Sequence, residues 1–206
     1  MRNGFTILLI CFSLTACVGM EKTGDVNSLD DGLAFKKPVD YIPSALGPHT
    51  WAVTTANDTA QNYFNQGLQL RYAYSVDDAA RSFREARLAD PACAMCYWGE
   101  AFALGAFLNG GMTAEKAPFA HQAIEKAVEF SASATEMERD LIMAARDRYP
   151  ADFDTDNAKA INQAFAERMK LVYEKYTDHH DVAFVYASSI FLLEERRGRR
   201  DIEEPG

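Results

Sequence analysis

The sequence predicts an all-α fold, a solenoid of antiparallel helix hairpins with about seven helices. Three observations carry that prediction. Apolar residues recur at helical spacing between about residue 58 and residue 194, and no stretch alternates in the way a half-buried strand does. Helix punctuation is regular, with Asn57, Asp77-Asp78, Asp90-Pro91, Thr113 and Pro150 standing where helices start or stop. One apolar pattern also returns after 34 residues, a period expected of stacked helical pairs.

With 206 residues, 48% of them apolar and 25% charged, the chain has an ordinary globular balance. Its net charge of -9 and pI near 4.9 argue against a nucleic-acid surface. The basic cluster Arg196, Arg197, Arg199 and Arg200 is followed at once by Asp201, Glu203 and Glu204, and reads as a self-neutralising loop.

Residues 1–16 read as an export signal: Arg2, an apolar run from Phe5 to Leu14 too short to span a bilayer, then small residues. The run ends in Leu14-Thr15-Ala16-Cys17, which resembles the lipobox of bacterial lipoproteins. That resemblance implies cleavage before Cys17 and lipid attachment to it. Val18 stands where an Asp would imply retention at the inner membrane, so the resemblance implies an outer-membrane anchor facing the periplasm. Residues 17–55 are Gly- and Pro-spaced and read as a tether whose more apolar end, Tyr41 to Trp51, is able to lie on the folded body. Residues 56–206 form the helical domain.

In that domain, Asn57 or Asp58 opens the first helix, with Tyr63, Gly67 and Leu70 as its inner stripe. Asp77 and Asp78 sit at the start of the second, where negative charge favours the helix dipole, and Ala79, Phe83 and Ala86 repeat the stripe. Asp90-Pro91 ends that helix and opens a third. These seven positions, Pro91 included, resemble the tetratricopeptide repeat (TPR), which implies closely packed helix pairs with Phe83 filling the gap beside Gly67 and Ala79. Tyr97, Ala101 and Leu104, then Ala120, Ile124 and Ala127, form a second unit whose second helix is displaced by an insertion around Asn109 to Met112, with Thr113 as its cap.

The remaining helices are expected over Glu136 to Arg148, with Met137, Leu141, Ala144 and Ala145 inward, and over Asn157 to Tyr176, with Ala160, Ala164, Ala166, Met169, Val172 and Tyr173. The last runs from Val182 to Glu194 behind a solvated Asp178-His179-His180-Asp181 start. It is apolar nearly all round, whereas a terminal solenoid helix shows a polar outer face. The expectation is that the chain is part of a longer repeat protein or that another chain covers this helix.

Residues 45 to 200 are similar to a family of bacterial exported TPR proteins with a Gly-Pro-His-Thr-Trp lead-in, here Gly47 to Trp51, and a DPxCAMxYWGEA motif, here Asp90 to Ala101. The resemblance implies a fold and a location but no activity. Cys93 and Cys96 are the one pair with reactive potential; the readings are a structural disulfide or buried thiols, metal binding, or redox catalysis. Haem attachment is excluded because Tyr97 follows Cys96, and His49, His121, His179 and His180 are not spaced as a second zinc-ligand pair. No nucleophile elbow, phosphate loop or HExxH pattern is present, and no catalytic residue or cofactor is expected.

The groove is the other candidate surface. Residues one position after the stripe, Phe64, Leu68, Trp98 and Phe102, with Arg71 and Met95 beside them, would face the concave side. Either they bind an extended protein or peptide partner, or the segment from Tyr41 to Trp51 covers them. The functional expectation is a lipid-anchored periplasmic TPR scaffold holding such a partner in its groove. The alternatives are a cysteine-dependent metal or thiol carrier, or the repeat portion of a longer enzyme.

Overall fold

The computed structural model describes residues 37–194. They are all-helical: α1 (Asp58–Tyr72), α2 (Val76–Ala89), α3 (Ala94–Leu104), α4 (Ala117–Phe130), α5 (Glu136–Arg146), α6 (Ala158–Lys175) and α7 (His180–Phe191). Each helix packs on the next in chain order, and α3 also touches α1 and α5. The described residues contain no strand, only an isolated bridge between Phe107 and Gly110 in the loop after α3. Residues 1–36, with the export signal and Cys17, and residues 195–206, with the arginine cluster, lie outside the described residues.

Local chemistry sets the helix ends. The Asn57 side chain accepts from the Thr59 and Ala60 N–H groups, and its amide donates 2.8 Å to the Ala89 carbonyl, so one residue closes the start of α1 and the end of α2. Thr135 and Glu138 form a reciprocal capping box on α5. The α1 end is less ordinary. Ser75 N–H bonds back to the Leu70 carbonyl and Tyr74 N–H to that of Arg71, a pattern that normally puts glycine in the left-handed position, yet Tyr74 occupies it at φ 64°.

Two expected starts move. Pro91 lies in the turn ahead of α3, and Cys93 caps that helix by accepting from Cys96 N–H. Thr113 caps the turn before α4, accepting from Lys116 N–H, while α4 itself begins at Ala117 with proline in its first turn.

The core is centred on α3, of which every residue is buried, as its all-round apolar sequence requires. Phe83 sits between Gly67 and Gly99, where a Cβ at either glycine would meet its ring at 2.9 and 2.3 Å. On α2 and α3, Arg87 and Glu100 form a buried ion pair through two guanidinium nitrogens, with Arg87 also 5.7 Å from the centroid of the Tyr97 ring. On α6, Ala160 and Ala164 are exposed and Phe165, Ala166, Met169 and Val172 are buried. Alanine fits either face of a helix, so its spacing alone did not locate the core side.

Gly99→Ala is expected to destabilise the fold by about 2 kcal/mol despite alanine's better helix propensity, because the added carbon would have to displace a buried ring. Urea denaturation checks this, with Gly67→Ala expected to cost less.

Candidate functional site

The six expected groove residues are brought together, but as core. Phe64 and Leu68 are fully buried, and Arg71, Met95, Trp98 and Phe102 are each exposed by 4% or less. The expectation of an open partner groove at these positions is therefore corrected. The chain itself covers them, from two directions.

The first cover is the leading segment, residues 37–55, which runs along α1. Polar side chains of α1 grip its main chain: Gln66 accepts from Ile42 N–H and donates to the Asp40 carbonyl, both at 2.9 Å. Gln69 donates to the His49 carbonyl, Asn65 accepts from Trp51 N–H, and Gln61 bonds both the Trp51 carbonyl and Val53 N–H. Spacing of four places Gln61, Asn65 and Gln69 on one helix face, so they match an extended strand of chain. Trp51 is the apolar plug. Its ring lies 6.0 Å from Phe64, 5.9 Å from Trp98 and 5.1 Å from His179.

The second cover is α7, whose start is solvated only in part: Asp178 and His180 are exposed as expected, His179 is half-buried and Asp181 is not solvated. Asp181 is buried and accepts from the Tyr72 hydroxyl at 2.7 Å, with His49 Nε2 2.8 Å from the same oxygen. His179 caps α7 by accepting from Val182 N–H. Burial and the Asp181 charge push the Tyr72 phenol far above its ordinary range. Glu138 on α5 completes the clasp, accepting from Thr54 N–H at 2.7 Å and from the Thr54 hydroxyl at 2.5 Å.

Beyond Trp51 the covering stops, leaving a hollow of about 190 Å³ lined by Tyr74, Phe102, Phe107, Phe184, Val185 and Phe191, among others. Arg71 and Arg148 line it too, and both are nearly fully buried. Arg71 donates from Nε to the Phe102 carbonyl at 3.2 Å and from Nη2 to that of Ala106 at 3.4 Å. Arg148 donates from Nη2 to the same Ala106 carbonyl at 2.8 Å and from Nη1 to the Tyr149 hydroxyl at 3.4 Å. Their guanidinium carbons lie 4.4 Å above the rings of Phe102 and Phe165 respectively. Burial, then the charge of Arg148, lowers Arg71 to about 10, still cationic at neutral pH. Arg148 also borders a second hollow of about 240 Å³ beside Met112, Phe153 and Ile161.

Cys93 and Cys96 are bonded to each other, and neither is exposed. The bonded pair is the structural disulfide that was the first of the three readings, and no group of three potential metal ligands occurs among the described residues. Sequence reasoning missed Glu138, Asp181, Tyr74 and Arg148. The first two act on partners 84 and 132 residues away, which no local pattern signals.

Trp51→Ala is expected to cost about 3–5 kcal/mol in urea denaturation. Trp51→Phe is expected to cost far less, because the buried indole N–H has no partner among the described residues and its loss is not penalised. Tyr72 sets an alkaline limit. Its folded pKa lies above the unfolded value of 10.0, so its contribution is complete below that pH and is lost as pH rises beyond it. Denaturation at pH 8 and pH 11 is expected to show a smaller loss of stability in Tyr72→Phe than in the natural chain.

No protein-family model matches the chain, no curated protein matches it, and no solved structure matches it.

Proposed function

We propose that this chain is a lipid-anchored helical scaffold at the periplasmic face of the outer membrane, and that it binds a protein or peptide partner rather than catalysing a reaction. Its helical pairs are read as a TPR-like array. The partner site is not the six-residue groove, which the chain fills itself, but the rim of the hollow beyond Trp51. The observation that carries this reading is the exposure of Tyr74, Ile190 and Phe191 by 45%, 41% and 44%, with Tyr74 and Phe191 at the hollow itself. Large apolar groups around a concavity are the usual signature of a binding surface.

The export half of the proposal is supported by the Cys93–Cys96 disulfide, which suits an oxidising compartment, and by the lipobox-like Leu14 to Cys17. No described helix is long and apolar enough to cross a membrane, so an anchor at Cys17 would supply the attachment.

A photo-crosslinking residue placed at exposed Ala187, at the rim, is expected to give one discrete protein adduct in intact envelopes. The same residue at Leu171, exposed by 67% on α6, is expected to give none. Equal labelling at both positions would sink the rim as a partner site. In the same cells Cys17→Ser is expected to leave the membrane fraction, and retention there would overturn the anchor.

A further inference from the structure

Two arginines, Arg71 and Arg148, line the hollow in largely apolar surroundings. Arg71 and Arg148 together spend four hydrogen bonds, three of them on main-chain carbonyls and one on a phenol. Among the described residues no carboxylate is paired with either guanidinium, although thirty acidic side chains leave the whole chain at -9. Burying two like charges side by side without a counter-charge is costly, and buried cations are ordinarily paired. Among the described residues Arg71 makes no hydrogen bond through Nη1, and Arg148 makes none through Nε. Donors are therefore left over in a space whose other walls are mainly aromatic and aliphatic, with Ser188 and Ser189 on the α7 side.

The volume limits what fits. An apolar cavity of about 150 Å³ accommodates a benzene-sized molecule. The present 190 Å³ admits a ring or a short alkyl group with a charged head, and not a folded segment of another protein. Tyr74 adds an independent indication. It takes the left-handed conformation that glycine adopts without strain, and its ring stands at the hollow, 6.4 Å from that of Phe107. A side chain is kept there against its backbone preference.

We propose that this hollow binds a small carboxylate carried on an aryl or short alkyl group, with Arg71 and Arg148 holding the carboxylate and Phe107, Phe184 and Tyr74 enclosing the apolar part. Two guanidinium groups that share the Ala106 carbonyl and line the same hollow place two sets of donors beside it, which suits the two oxygens of a carboxylate. The proposal does not depend on a protein partner at the rim.

The test uses the full chain, lipidated and held in lipid nanodiscs, and calorimetric titration with three probes: 3-phenylpropionate, its neutral amide, and a peptide ending in phenylalanine with a free carboxylate. The acid is expected to bind at least about tenfold more tightly than the amide, as loss of a charge-assisted hydrogen bond implies. Arg148→Gln is expected to erase that difference. Since this change also removes a bond to Ala106, Tyr74→Gly is the second variant, expected to keep or raise the unfolding midpoint while weakening the acid several-fold. Equal binding of acid and amide would show an apolar hollow with structural arginines and overturn the proposal. Binding of the peptide without the free acid overturns it in favour of a protein terminus, and a full chain that binds none of the three overturns it outright.

Discussion

The position of Trp51 is the constraint on which the rest of the molecule depends. Its ring fills the space where α1, α3 and the start of α7 converge, touching Phe64, Trp98 and His179 at once. Without it, the aromatic faces of α1 and α3 would meet water, and the start of α7 would lose the ring beside which His179 lies. A single indole buries well over a hundred square ångströms of apolar area, enough to outweigh an unpartnered N–H. The polar ladder on α1 fixes where that ring goes, since Gln61 and Asn65 hold the main chain of Trp51 and Val53 from both sides.

Most of the helical framework was legible from the chain. Asn57, the aspartates in the first turn of α2, and the stripe of Gly67, Ala79, Phe83 and Ala86 place the first hairpin, and the structure puts Phe83 against Gly67 and Gly99. The face of α1 that matters was harder to read. Phe64, Leu68, Trp98 and Phe102 looked like surplus apolar groups because a hairpin considered alone has an outer side. They became core when a segment before the helices and a helix more than a hundred residues later were laid over them. Such coverage comes from contacts distant in sequence, and periodicity carries no information about them.

The same limit explains the charged residues. Asp181 reads in sequence as one of two acids at a solvated helix start, and Glu138 as one residue in the first turn of an expected helix. In the fold Asp181 joins His49 and Tyr72, and Glu138 binds Thr54 in addition to capping α5. Arg71 was picked out for its place beside an apolar stripe, whereas Arg148 lay in what looked like an ordinary helix end. They converge on Ala106, two residues after the end of α3 and ahead of the insertion around Asn109 to Met112, where the main chain has left the helix and its carbonyl is open to both arginines.

The link from His49 to Asp181 spans 132 residues, and this has a bearing on how the chain is made. A protein synthesised from its first residue produces the leading segment long before the helix that locks it. Until residue 181 arrives, Trp51 has only α1 and α3 to rest on, and Tyr72 has no buried acceptor for its hydroxyl. Contacts of such long sequence separation form late and slow the approach to the native state. The interval in which the aromatic faces of α1 and α3 are only half covered is thus set by the length of the chain, and it is the stage at which this protein is most exposed to aggregation.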